Sequence, residues 1–399
     1  MDQEQAKDSA ATFWIILIII AIMIYIQAYA MYKYTLSSKE CSYWDKFYKN
    51  TNASIQNNTV YTYPDKKEER TNAKKDAVLL DYDILSAYNC CSSGAYKNDY
   101  VNTCILINII KQGVRCLDFE IYSLKDEPII ASSTESNYNV KETFNFVKFS
   151  EAMKIIANNA FSSATAPNPN DPLIINLRIK STNIKMYNNL SKIFKSYNSN
   201  NKLFASKLYS YDYRTDSKEC QSDGNGNATI QLDTLCHNNL GKVPLINFKS
   251  KIIVIVDGSN KTYLDTDLYE WVNLTSISTN AMTMLRYNSI KNIPSLKEIQ
   301  ENNKQTITMV IPDNQSNPDN PSGKVCRAMG CQMVAMRFQL NDDHLQENIK
   351  YFNNFNSAFV LKPIDLRNIP VLLPSAKAQD LSNSYEEKEI KNKLYDFKI

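Results

Sequence analysis

Histidine is almost missing from this chain, which has only His237 and His344 in 399 residues. Imidazole titrates near neutral pH and is the commonest metal ligand, so chemistry that needs several histidines has little to draw on here. The nine cysteines form no C-x-x-C pairs and the two histidines stand alone, which excludes a zinc site built on familiar spacings. Charge of one sign is also lacking. A net charge of +3 with 22% charged residues gives no electrostatic footprint for nucleic acid, and the 43% hydrophobic content is that of an ordinary globular chain. No internal repeat is present.

Between Ala10 and Tyr32 ionisable acids and bases are missing altogether, and FWIILIIIAIMIYI from Phe13 to Ile26 is apolar almost throughout. About 20 such residues are needed for a helix to cross a bilayer. Trp14 near one end and Tyr25, Tyr29 and Tyr32 toward the other fall where amphipathic rings favour the membrane interface. The competing reading is a cleaved signal peptide, because Ala28, Tyr29 and Ala30 form an A-x-A pattern. Against it, the leading segment carries Asp2, Glu4 and Asp8 against Lys7 alone, and the apolar run is longer than a signal core. Lys33, Lys39, Lys46 and Lys49 follow the run while Lys7 precedes it, a modest bias toward a cytoplasmic C-terminal domain.

The sequence divides into a polar tail (1–9), a transmembrane anchor (10–32), a polar stalk (33–75), a large domain (76–370) and a charged tail (371–399), whose last 25 residues look like an exposed helix or tail. Within the domain, halves 76–216 and 241–370 flank a Gly- and Asn-rich loop at 217–240. Cys220 and Cys236 bracket that loop, as a disulfide or as two reduced thiols among a mostly buried set. Sequons at Asn52, Asn57, Asn189, Asn227, Asn260, Asn273 and Asn314 are expected by chance in a chain so rich in asparagine.

From residue 76 short apolar runs alternate with amphipathic segments. Strands are expected at Val114–Tyr122, Glu127–Ala131, Asp171–Ile179, Lys251–Val256, Cys331–Phe338 and Ala358–Lys362. Helices are expected at Phe149–Phe161, Met186–Tyr197 and His344–Phe352. The alternation points to a parallel sheet with crossover helices, and the length suits one (β/α)8 barrel.

Three segments resemble the catalytic barrel of phosphoinositide-specific phospholipase C. LSAYNCC followed by IKQGVRCLDFEIYSLKDEPIIASST resembles its first half. FSEAMKIIANNAFSSATAPNPNDPLIINLRIKS resembles the helix and strand that come next. GCQMVAMRFQLNDD and FNSAFVLKPIDLR resemble its second half, whose signature reads G-C-Q-M-V-A-L-N-F-Q and later G-Y-x-L-K-P-x-x-x-R. The wording is similar to that of membrane-anchored members encoded by large DNA viruses, which implies a virion or host-derived membrane.

The resemblance implies phosphodiester cleavage by two histidines, with a calcium ion held by Asn, Glu, Asp and Glu. Here the first histidine falls on Tyr88, next to the retained Asn89, and the second on Ser132. A phenol with a pKa of about 10 is a poor base at neutral pH, and a serine hydroxyl does not shuttle protons unaided. The first two acidic ligands persist in exchanged form as Asp118 and Glu120, two apart on a strand and so on one side of it. The third falls on Arg178, whose charge would repel calcium. We therefore expect no metal, and Arg178 paired with Asp118 or Glu120 inside the barrel; the alternative leaves both acids in solvent. Bacterial relatives use an arginine in place of calcium but still need two histidines.

Substrate recognition is also altered. Ile255 and Asp257 stand at the later lysine positions of the family's K-I-L-x-K-G-K segment, and Met309 and Ile311 at the Arg and Tyr of its R-x-Y-P segment. The residues after 370 are too few for a C2 sandwich of about 100 residues.

Three functions follow as expectations. The first is an inactive phospholipase C-like barrel tethered to the bilayer by residues 10–32, acting as a binding or structural component with a phosphoinositide or protein partner. The second is an active calcium-independent phosphoric diester hydrolase using Asp118 or Glu120 as base with Arg178 and Tyr88. The third is a receptor- or adhesion-like surface protein.

Overall fold

The computed structural model describes residues 2–51, 54–64, 76–198, 203–205, 209, 240–278, 281–369 and 386–399. Cys220, Cys236 and His237, the charge cluster at 66–70 and residues 371–385 lie outside the described residues. The chain forms two compact units, Met1–Arg367 and Asn368–Ile399.

Eight short strands build the first unit. They are β1 (Tyr82–Ala87), β2 (Cys116–Leu124), β3 (Leu173–Ile179), β4 (Ile252–Val256), β5 (Leu274–Thr275), β6 (Met282–Arg286), β7 (Ile307–Ile311) and β8 (Met333–Met336). Runs such as LIINLRI and IIVIV are buried on both faces, as parallel strands between a barrel interior and a helical shell must be. Each strand pairs in parallel with the next from β1 to β5 and from β6 to β8, and β8 pairs with β1. Between β5 and β6 the ring is joined through Ile277–Ser278, which pairs antiparallel with β6. The result is a near-closed, mostly parallel barrel with chain order and spatial order the same.

The expected strands at 127–131 and 358–362 form, but outside the ring. Glu127–Ile130 folds back antiparallel on β2, and Phe359–Leu361 runs antiparallel beside β1. β1, β5, β6 and β7 were not among the expected strands. They are too short, or too interrupted by polar residues, to stand out locally.

The helices start at side-chain caps. Asn102 caps α2 (Thr103–Lys111), Asn183 caps α4 (Ile184–Tyr197) and Asp342 caps α8 (Asp343–Phe355), each accepting from a backbone N–H of the first turn. α3 (Phe149–Asn159) and the shorter α5 (Tyr287–Lys291), α6 (Leu296–Asn303) and α7 (Gly323–Ala328) complete the shell.

Residues 33–50 of the expected stalk continue α1, and residues 65–75 of it lie outside the described residues. α1 runs unbroken from Asp2 to Asn50, because Trp44, Phe47 and Tyr48 add an apolar face beyond the membrane-like run. Trp44 and Tyr48 are buried against the barrel, while Phe13 to Ile26 stay exposed. The helix from Thr12 on is long and apolar enough to cross a membrane, with a mean hydropathy of 2.4 over its most apolar window.

α1 lies alongside α2 in parallel register. Asn102 donates to Ser37 Oγ at 3.2 Å, Asn108 to Asp45 at 2.7 Å, and Gln112 to the Tyr48 carbonyl at 3.5 Å. α2 descends from the C-terminal ends of the strands to their N-terminal ends, so α1 does the same. Upstream of Lys33 it therefore projects beyond the barrel mouth. Lys33 itself donates to the Asn98 carbonyl and lies 5.2 Å from the centre of the Phe144 ring, both on mouth loops.

After α1 the chain crosses the opposite end of the barrel. Thr59 and Tyr61 bond Asp171, and Ala77 N–H donates to the Tyr61 carbonyl. Ile55 packs onto Gly113, where φ is +79° and an added Cβ would meet Ile55 at 2.8 Å, so only glycine fits.

The second unit contains an antiparallel hairpin, Glu389–Lys391 with Asp396–Lys398, so these residues do not take the helical one of the two expected forms. The alternation of Ile390 and Phe397 with charged neighbours suits a strand better than a helix.

Candidate functional site

In the β2–β3 register Asp118 faces Asn176 and Glu120 faces Arg178, and side chains opposite each other in a parallel pair share a face. That face is the barrel interior. Arg178 Nε donates to Asp118 Oδ1 at 3.0 Å, and one terminal nitrogen donates to Asp118 Oδ2 at 2.9 Å and to Asn89 Oδ1 at 2.5 Å. The other terminal nitrogen donates to Glu120 Oε2 at 2.8 Å. The guanidinium thus bonds both carboxylates at once.

The remaining lone pairs are filled by neighbours. Asn176 and the Asn89 backbone N–H donate to Asp118 at 2.7 and 3.1 Å, and the Tyr122 hydroxyl donates to Glu120. Asn89 adopts a left-handed φ of 46°, a conformation asparagine tolerates, and this turn aims its side chain and its N–H into the same cluster. Burial alone would lower the Arg178 pKa, but the charge of Asp118, with Tyr88 and Glu120, outweighs it and holds the pKa well above its ordinary value. Arg178 is a permanent cation.

A second layer closes the site from the mouth. The Tyr88 ring lies 4.4 Å from the guanidinium, and Tyr96 packs edge-on to Tyr88 at 5.7 Å. Arg337 covers Tyr96 at 4.7 Å and donates to the carbonyls of Gly94 and Pro318 and to Asn317. Arg286, at the end of β6, donates to the Tyr88 hydroxyl at 3.3 Å and to the Pro312 carbonyl at 2.7 Å. Exposure within the centre is 3% for Asn89, 0% for Asp118, 2% for Glu120 and 3% for Arg178, so solvent does not reach the group that the sequence placed there. A cavity of about 570 Å³ opens elsewhere, between α1 and α2, bordered by Tyr48, Cys104, Asn108 and Gln112.

The structure brings Tyr88, Asn89, Asp118, Glu120 and Arg178 together. Ser132 is buried after the Glu127–Ile130 strand, and its carbonyl accepts from the Glu142 N–H. His344 is exposed at the start of α8. Met309 shares a face with Met284 and Met333 by register, a thioether layer. Ile255 is buried in β4, and Asp257 accepts from Ser276 at 3.4 Å.

Sequence reasoning missed Asn176, Tyr122, Tyr96, Arg286 and Arg337. Asn176 had a signal, since it shares strand parity with Arg178. The others are joined to the centre only by folding.

The calcium ion that the resemblance implies does not fit this centre. Asn89, Asp118 and Glu120, the three oxygen ligands retained, all direct oxygens at the guanidinium of Arg178. A divalent cation would have to displace that charge from between them.

Residues 261–365 match the model of the phosphatidylinositol-specific phospholipase C Y domain. The chain carries a phosphatidylinositol-specific phospholipase C-like barrel. Among solved structures, PLC21 of L. pealei is 17% identical with a TM-score of 0.53, and PLC21 of S. officinalis is 17% identical with a TM-score of 0.52. In both comparisons 73% of this chain is covered but only 38% of the other, so it spans well under half of their length. At that identity the likeness establishes the fold alone. No curated protein sequence matches the chain. In the phospholipase C-like barrel described above, the matched domain covers β5 to β8 and the strand beside β1.

Proposed function

We propose that this chain is a membrane-anchored phospholipase C-like barrel without phosphodiesterase chemistry, serving as a binding or structural component of its membrane. The observation that carries the reading is Arg178, which occupies the centre between Asp118, Glu120 and Asn89 under the Tyr88 ring. A base must be free to accept a proton, and both carboxylates are held by a cation and by neighbouring donors. Neither family histidine position carries a group that exchanges protons near neutral pH. The exposed apolar run of α1 supports anchoring, and its register with α2 turns the barrel mouth toward the bilayer side.

Full-length protein reconstituted in vesicles containing phosphatidylinositol and its phosphorylated forms is expected to release no water-soluble inositol phosphate, with or without calcium. Release that Arg178→Ala, Asp118→Ala or Glu120→Ala abolishes would establish instead a calcium-independent hydrolase using those residues.

A further inference from the structure

The anchor helix and the barrel are joined by a covalent bond as well as by packing. Cys41 in α1 and Cys104 in the first turn of α2 form a disulfide with Cα atoms 5.9 Å apart, a distance such a bond spans without backbone movement. It lies within the row of parallel contacts, after Ser37–Asn102 and before Asp45–Asn108. Residues on both sides of it are therefore held in register independently of the sulfur atoms.

The described free cysteines are placed differently. Cys90, Cys91, Cys116, Cys326 and Cys331 are buried in the barrel, where burial raises their thiol pKa and removes them from exchange. Cys41 and Cys104 are partly exposed. Among the described residues, the cysteines within reach of a redox partner are the two that pair.

A disulfide between partly exposed cysteines persists in an oxidising compartment and is reduced by cytosolic thiol pools. Its formation removes two electrons and two protons from two thiols. A disulfide-bearing exchange partner takes them up and is released as the dithiol. We propose that Cys41–Cys104 is a permanent clamp between the membrane helix and the barrel, and that the barrel consequently lies on the oxidising face of the membrane.

The lysine count after the apolar run points the other way, but its nearest members have local partners. Lys33 binds the Asn98 carbonyl and the Tyr29 and Phe144 rings, and Lys39 lies over the Tyr32 ring. Those charges hold the junction of helix and barrel. From Tyr32 to Cys41 the helix rises only about 14 Å, at about 1.5 Å per residue. The clamp thus keeps the barrel against the bilayer and prevents it from swinging on a tether.

The test uses the full chain made in a eukaryotic cell, with thiols alkylated at lysis and peptides mapped without reduction. A linked Cys41–Cys104 peptide is expected, and in sealed microsomes the barrel should resist protease until detergent is added. Alkylated, unlinked Cys41 and Cys104 would overturn the clamp. Digestion of the barrel in sealed microsomes would overturn the assignment of the face, even with the linked peptide present. Neither readout depends on whether the barrel hydrolyses lipid. As a further arm, Cys41→Ser should expose Cys104 to several-fold more alkylation than in the native chain, and unchanged labelling would count against the clamp.

Discussion

Arg178 shows how one cation organises a polar centre. Two carboxylates in a barrel interior cannot stay ionised without compensation, and a guanidinium with five N–H donors in a fixed fork donates to both and to the Asn89 side-chain amide oxygen as well. Removing only the cation leaves the acids buried and unpaired, so Arg178→Met is expected to lower stability by about 3–5 kcal/mol in denaturant unfolding. Arg178→Glu places a third carboxylate where the family's third metal ligand would stand. That variant should be destabilised without metal and regain thermal stability as calcium is added, whereas the native chain should show no calcium-dependent change in Tm. A native chain whose Tm rose with calcium would contradict the account of the centre. Asp118, Glu120 and Arg178 were picked out by the resemblance to the phospholipase C barrel, and strand alternation added that Asp118 and Glu120 share one side; the register of β2 with β3 put Arg178 on that side too. Tyr96, Arg286 and Arg337 were not legible in the sequence, since what joins them to Tyr88 is the closing of loops far apart in the chain.

At the scale of elements, α1 does two jobs that the sequence separates poorly. Its first half announces itself by hydropathy, but its second half mixes Lys46 and Lys49 with Trp44, Phe47 and Tyr48 and so looks like polar stalk until α2 is beside it. The junction also carries a titrating group. Burial, with Asp99 close by, raises the Glu40 pKa from 4.5 to about 7, against the lowering effects of Ser93 and Lys33. A carboxyl with a raised folded pKa binds more protons when folded than when unfolded. Stability from this group is therefore present below about pH 4.5 and lost as pH rises toward 7. Unfolding curves between pH 4.5 and 8 should show that loss, and Glu40→Gln should flatten it; an unchanged pH slope in the variant would remove Glu40 as the cause. The hairpin of the second unit was also missed, for a related reason: two three-residue strands carry too little pattern to outweigh a run of charges.

For the whole molecule, the parallel register of α1 and α2 sets the apolar run of α1 beyond the mouth end of the barrel, so under the proposed anchoring that end faces the bilayer. Val140, Phe144 and Phe146 are exposed on a mouth loop close to Lys33, and Asn354 lies at the opposite end, near the close of α8. In reconstituted protein, a fluorophore at Phe146→Cys should be quenched by headgroup spin labels, and one at Asn354→Cys should not. Equal quenching at both sites would mean that the helix does not hold the mouth to the membrane. The sequence by itself determined the apolar span and the alternating pattern of a barrel, because hydropathy and alternation are local properties, and its resemblance to the phospholipase C barrel pointed to Asp118, Glu120 and Arg178. Tertiary structure alone decided that the helix continues past the membrane-like run to clamp the barrel, that aromatic rings seal the centre, and which way the mouth points. These depend on contacts between segments far apart in sequence, which no local pattern encodes.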